Sequence, residues 1–99
     1  MTNINGPFKD QLTRDIGANL TVCHFNIEGI SRDKCEVLSK LMNDERVDVI
    51  ALQETHTVDD KDLKKRGFIP GYVLLGSINH KQYGIATYVK EDLDDVETI

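Results

Sequence analysis

Residues 48–56, which read DVIALQETH, contain an apolar run that stops abruptly at an amide and a carboxylate. The run at residues 49–52 is short and partly β-branched, which is typical of a parallel strand covered on both faces. Gln53 and Glu54 follow it directly. Because ligands bind at the carboxyl ends of strands in open α/β sheets, Glu54 has a position typical of a metal or phosphate site. The alternative is that Glu54 is the first solvated residue after the strand.

Length and composition restrict the class of protein. The chain has 99 residues, 39% hydrophobic and 29% charged, which indicates one small domain and excludes a disordered or membrane chain. Without a membrane-spanning run or a secretory signal, we predict an intracellular protein, in the nucleus or cytoplasm and not secreted.

Cys23 and Cys35 lack the spacing of a metal knuckle, which favours buried thiols. The net charge of −5 argues against a simple phosphate-binding protein. A metal-dependent nuclease is an exception, because its carboxylates hold the cation that supplies the positive charge.

The elements before residue 56 form a βαβ unit. Residues 1–19 are predicted to be a flexible leader with a short turn of helix around residues 9–14. A strand at residues 20–27, apolar on both faces, is followed by an amphipathic helix from residue 33 to about residue 44, with Ser31 as its N-cap. The strand at residues 47–52 completes the unit.

This arrangement brings polar side chains together. The two strands of a βαβ unit run parallel. Asn26 and Glu54 would therefore lie at the same edge of the sheet, on strands about 4.8 Å apart if they are neighbours.

Later residues add two further strands. We predict a loop and a short surface helix at residues 57–66, strands at residues 72–75 and 84–89, and the start of another strand at residues 96–99. The loop between the two strands, residues 76–83, is long for a hairpin, which favours a functional role. The local charge runs, basic at 61–66 and acidic at 91–97, are interpreted as solvated faces.

Three motifs together resemble the endonuclease/exonuclease/phosphatase superfamily. They are FNIEG at residues 25–29, DVIALQET at residues 48–55 and GIATYV at residues 84–89. Two features are most similar to the endonuclease domain of non-LTR retrotransposon proteins. They are the sequence of the third motif and the presence of His56 directly after the second. The resemblance implies an α/β fold, with residues 20–99 forming the N-terminal half of a four-layer α/β-sandwich that opens with the βαβ unit and continues with two further strands.

The resemblance also implies a function. Members of this superfamily are metal-dependent phosphodiesterases, so an endonuclease-type nicking of nucleic acid, with DNA as the partner and no membrane, is expected. Glu54 would hold Mg²⁺ or Mn²⁺, and Asn26 would contact the metal site and the scissile phosphate, which makes both residues catalytic and metal-binding. Hard divalent cations prefer such oxygen ligands. The residues that bind the rest of the substrate are not identified by the resemblance.

The chain departs from the family pattern in its second half. No Asp-x-Asn follows Val89 and no histidine follows His80, so the roles of those family residues are not transferred. We predict an N-terminal fragment that is inactive or very weakly active, and that associates with a missing C-terminal half or with itself through an exposed sheet edge.

There are two alternatives to an active nuclease. The first is a catalytically inactive remnant that acts as a small binding module. The second, a dinucleotide-binding enzyme, is excluded because residues 28–31 lack the glycine pattern that a pyrophosphate needs. We expect His24, His56 and His80 to be structural or surface residues.

Overall fold

The computed structural model describes residues 20–91 and the backbone of residues 12–14. The described residues form one five-stranded mixed sheet, in the order β1-β2-β3-β5-β4, and two helices. The predicted α/β class, the βαβ unit and the two further strands are confirmed. The elements are β1 (Leu12–Arg14), β2 (Thr21–Asn26), α1 (Arg32–Asp44), β3 (Val49–Gln53), α2 (Asp60–Arg66), β4 (Tyr72–Ile78) and β5 (Ile85–Lys90).

The βαβ unit consists of β2, α1 and β3. Strands β2 and β3 are neighbours and run parallel, with Asn26 opposite Gln53 at their carboxyl ends. Helix α1 begins after Ser31, whose side chain accepts a hydrogen bond from the backbone N–H of Lys34, 3.2 Å away. This bond satisfies one of the free N–H groups of the first turn, and it confirms the predicted N-cap.

Both helices contribute to a core on one face of the sheet. Alternate strand residues, including Cys23, Ile50 and Tyr88, point into this core. The helices add a buried stripe from α1 and Leu63 from α2. The core as a whole comprises Cys23, Ile27, Ile30, Cys35, Leu38, Met42, Val47, Ile50, Leu52, Leu63, Ile69, Tyr72, Ala86 and Tyr88.

The prediction that β2 and β3 are covered on both faces is wrong for the described part of the chain. Because α1 and α2 pack on the same face, the residues of opposite parity are open: His24 is exposed, and Val49 and Ala51 are half-buried. Strand β5 is also antiparallel to both of its neighbours, so β3 lies in a mixed sheet.

The two cysteines are free and fully buried, which confirms that they are core thiols. Burial raises the pKa of the Cys23 thiol to about 12 and that of the Cys35 thiol to about 11. The effect on Cys35 is partly offset by the charge of Arg32. Both thiols are therefore protonated, unreactive groups at neutral pH.

Two elements differ from the prediction by more than one or two residues at their ends. Residues 12–14 are a strand antiparallel to β2, so the predicted turn of helix is wrong there. Strand β4 continues beyond residue 75 to Ile78, because Ser77 and Ile78 still pair with β5 after an irregularity between Leu74 and Gly76. The connecting loop is correspondingly shorter than predicted.

Some expectations lie outside the described residues. They concern residues 9–11, the rest of the leader before residue 20, and the strand at residues 96–99. Within the described part, β4 is paired only with β5 and exposes Val73, Leu75 and Ile78. No helix there is long and apolar enough to cross a membrane.

Candidate functional site

The carboxyl ends of β2 and β3 bring Asn26 and Glu54 into direct contact. The Asn26 side-chain amide donates a hydrogen bond from Nδ2 to Glu54 Oε2 at 2.9 Å. Its other end, Oδ1, accepts the backbone N–H of Glu28 at 3.0 Å. The side-chain amide is therefore oriented from both ends. The predicted convergence of Asn26 and Glu54 is present, whereas their catalytic roles stay predictions.

The two loops that follow these strands have unusual backbone geometry. Glu28, Glu54 and His56 have φ values of 49°, 57° and 58°, in the left-handed region that non-glycine residues rarely adopt. Each such residue costs of order 1 kcal/mol or more, and it persists only where its surroundings hold it. Here the loops hold each other: Gly29 N–H donates to Glu54 O at 2.7 Å, and Ile30 N–H donates to Thr55 O at 3.0 Å.

His56 lies beside the carboxylate. Its Nε2 is 3.7 Å from Glu54 Oε1, so the two carboxylate oxygens are contacted by different partners. The expectation that His56 is only a structural or surface residue is incomplete, because its ring lies at the candidate site. Its signal in the sequence was its place directly after the second motif, residues 48–55. His24 and His80 lie elsewhere, on the open sheet face and in the loop after β4.

The side chain of Lys34 stabilises the loop after β2 through hydrogen bonds. Its ammonium group donates to three consecutive carbonyls: Ile27 O at 2.9 Å, Glu28 O at 3.1 Å and Gly29 O at 3.0 Å. One cation therefore fixes the peptide groups that carry the Asn26 contact. Helical periodicity gives no sign of this role, because it does not record a side chain that folds back onto a loop.

Arg66, at the end of α2, connects both loops. Its guanidinium donates from Nε to Ile30 O at 3.1 Å and from Nη1 to His56 O at 3.0 Å. Nη1 also forms an ion pair with Asp62 at 2.7 Å. The pKa of the Asp62 carboxyl is lowered, first by the hydrogen bond from the Val58 N–H and then by Arg66. The run at residues 61–66 is thus more than the solvated face that we predicted.

Gly84, the first residue of the third motif, packs against the site. Its carbonyl accepts a hydrogen bond from the Thr55 N–H at 3.3 Å, and its φ is 90°. A side chain here would collide with the hydroxyl of Thr55, which is fully buried and has no hydrogen-bond partner in the described part of the chain. Only glycine combines this φ with so close an approach.

The donor set suits a hard divalent cation that keeps most of its water. Glu54 offers a carboxylate whose side chain is 40% exposed, and Asn26 Oδ1 has a second lone pair besides the one used by Glu28. No group of three His, Cys, Asp or Glu residues that could hold a metal occurs in the described chain. Mg²⁺ is commonly held by one or two carboxylates with several waters, so these residues fit it as part of a site.

Comparison with known families agrees with the geometry. The profile of the Endonuclease/Exonuclease/phosphatase family matches residues 23–99, which include all three motifs and both candidate site residues. A search of curated proteins found no match. Enzymes of this family hydrolyse phosphate esters and generally use divalent metal ions, and the mixed sheet with its two helices agrees with the N-terminal part of the family fold. The chain belongs to the Endonuclease/Exonuclease/phosphatase family.

Proposed function

We propose that this chain carries the Asn26 and Glu54 part of a metal-dependent phosphodiesterase site of the endonuclease type, which nicks nucleic acid, with DNA as the expected partner. The observation that carries the proposal is the 2.9 Å hydrogen bond from Asn26 Nδ2 to Glu54 Oε2 at the carboxyl ends of two parallel strands. The family match supports phosphate ester hydrolysis in general.

The residues of the site have separate tasks in this proposal. Glu54 and the amide oxygen of Asn26 would hold Mg²⁺ or Mn²⁺, which when bound polarises a phosphoryl oxygen and stabilises a leaving alkoxide. Asn26 orients the carboxylate, and His56 contacts its other oxygen. Lys34 and Arg66 do not reach the carboxylate in these contacts; they are positioning residues that fix the two loops through backbone carbonyls.

Two finer features of the proposal rest on the sequence. GIATYV at residues 84–89 and the position of His56 support a likeness to the retrotransposon endonucleases. The family residues that activate the attacking water have no counterpart after Val89, so the chain tested alone should have little or no hydrolytic activity.

The second candidate is a catalytically inactive remnant that acts as a binding module. It is favoured by the net charge of −5 and by the lack, among the described residues, of a group of three His, Cys, Asp or Glu side chains that could hold a metal. The two candidates differ in metal binding, because a remnant has no requirement to keep a metal site.

Metal affinity tests the proposal. The free Mn²⁺ signal in electron paramagnetic resonance would be titrated with the wild-type chain, with Glu54→Gln and with Glu36→Gln. Glu36 is an exposed carboxylate on α1, so its variant loses the same charge away from the site. We expect Glu54→Gln to weaken binding by about tenfold or more, since it removes the only carboxylate of the donor set. Equal affinity in all three proteins would contradict the proposal.

A further inference from the structure

The loop that connects β4 and β5 carries two aromatic rings, and its backbone is hydrogen-bonded to His56. The rings of His80 and Tyr83 lie with their centroids 4.9 Å apart and their planes inclined by 37°. Both residues are exposed, and Tyr83 leaves 63% of its surface open to solvent. An aromatic ring this open contributes little to the core and leaves its face accessible to a ligand.

The loop is held to the site by its backbone. The Tyr83 carbonyl accepts the N–H of His56 at 2.8 Å, which places Tyr83 directly across from the residue that contacts Glu54. The His80 ring is fixed as well, since its Nδ1 accepts the N–H groups of Gln82 at 3.1 Å and Tyr83 at 3.2 Å. The imidazole therefore forms part of the turn and supports the tyrosine ring.

The other end of the loop is fixed to the start of α2. Asn79 Oδ1 accepts the hydroxyl proton of Thr57 at 2.7 Å, and Asn79 Nδ2 donates to Asp60 Oδ1 at 2.8 Å. Side-chain and backbone bonds thus fix both ends of this short loop. A ring that is already oriented before binding loses less conformational entropy when a ligand stacks on it.

We propose that Tyr83, supported by His80, is a stacking subsite for an unpaired nucleobase of a nucleic-acid strand. The inference rests on the proposed function, because the phosphate of that strand would lie at Asn26 and Glu54. Every base offers a π-face, so an exposed aromatic ring binds single-stranded nucleic acid with little sequence preference. Lys81 is exposed in the same loop, between the two ring-bearing residues, and supplies a positive charge for the backbone.

A stacking subsite distinguishes nucleic acid from phosphate esters that have no aromatic ring. Inositol phosphates and phospholipid headgroups without an aromatic ring offer phosphate but no π-face, so they gain nothing from the ring of Tyr83. A strand with unpaired bases gains both stacking and phosphate contacts.

The test compares two fluorescein-labelled single-stranded DNA oligomers, one with bases and one abasic, of equal length and charge. Binding is measured by fluorescence anisotropy at low salt, with EDTA present. We expect the wild-type chain to bind the base-containing oligomer about fivefold or more tightly than the abasic one. Tyr83→Leu should abolish this preference without changing the affinity for the abasic oligomer, and Tyr83→Phe should keep it. Phe68→Leu is the matched control, because Phe68 is an aromatic residue with 60% exposure in a different part of the chain.

Three results would overturn the stacking subsite. They are equal wild-type affinity for the two oligomers, a preference that survives Tyr83→Leu, and no binding of either oligomer. The outcome is separable from that of the proposed function, because the assay contains no free metal and leaves Glu54 unchanged. Mn²⁺ binding at Glu54 with no base preference would refute only the stacking subsite, and a base preference without Mn²⁺ binding would refute only the phosphodiesterase site.

Discussion

Replacing Lys34 with methionine should destabilise the loop that carries the Asn26 contact. The methionine keeps most of the length of the side chain and has a similar helix propensity, but it removes the donor to three carbonyls. The Ile27 carbonyl belongs to a residue that is 3% exposed, so water replaces this donor poorly. Glu28 is exposed, and its carbonyl can turn to solvent.

The magnitude follows from two opposing effects. Hydrogen bonds to a charged group contribute about 1.5–3 kcal/mol, and the half-buried position of Lys34 favours the lower part of that range. Lys34 also lies in the first turn of α1, where a cation is unfavourable to the helix dipole by about 0.3–1 kcal/mol, and the substitution relieves this cost. The net loss should be about 0.5–2 kcal/mol, which corresponds to a fall in Tm of roughly 2–16 °C for a domain of this size.

Urea unfolding and amide hydrogen exchange would measure the effect. Lys40→Met is the matched control, because Lys40 is exposed on the same helix and its side chain makes no hydrogen bond among the described residues. In Lys34→Met, the amide hydrogens of Gly29 and Ile30 should show the largest increase in exchange rate. These two amides donate hydrogen bonds to carbonyls of the loop after β3. If both variants unfold at the same urea concentration and their amide hydrogens exchange at the same rates, the proposed stabilisation of the loop by Lys34 is refuted.

Two further predictions concern the core. Leu52→Asp should unfold the chain, because Leu52 is 1% exposed in β3 and the variant buries a charge, whereas Val73→Asp on the exposed edge should stay folded. Circular dichroism distinguishes them, and a folded Leu52→Asp would contradict the buried-strand assignment. Stability should fall above about pH 8.5, because the folded-state pKa values of Cys23 and Cys35 are raised and the unfolded chain loses those protons first. Urea unfolding at several pH values tests this, and a Cys23→Ala/Cys35→Ala variant that loses stability just as steeply would refute the assignment to the thiols.

The βαβ unit could be predicted from the sequence because its signals are local. Apolar runs of strand length, a helical stripe and a serine N-cap each act within a few residues, and together they locate β2, α1 and β3 to within one or two residues. The meeting of Asn26 and Glu54 then follows from the parallel direction of the two strands. The amino-acid sequence alone therefore predicts this part of the site.

The rest depends on long-range contacts that periodicity does not record. Strand β5 lies between β3 and β4 and is antiparallel to both, so the order of the sheet is not the order of the chain. Lys34 and Arg66 reach backbone carbonyls 5 to 36 residues away in the sequence, and a carbonyl accepts from any side chain that reaches it. The spacing of the histidines in the sequence gives no sign that His56 lies beside Glu54, since both residues have left-handed backbone conformations that periodicity does not record.

The most direct test of the account is to locate the metal on the molecule. Small amounts of Mn²⁺ added to the ¹⁵N-labelled chain broaden the amide signals of residues near the bound ion. We predict that the signals of Asn26, Glu28 and Glu54 broaden first, that those of Tyr72 and Lys90 at the opposite end of the sheet stay sharp, and that Glu54→Gln removes the effect. Broadening that is spread over the acidic surface, or that persists unchanged in Glu54→Gln, would contradict a metal site at Asn26 and Glu54.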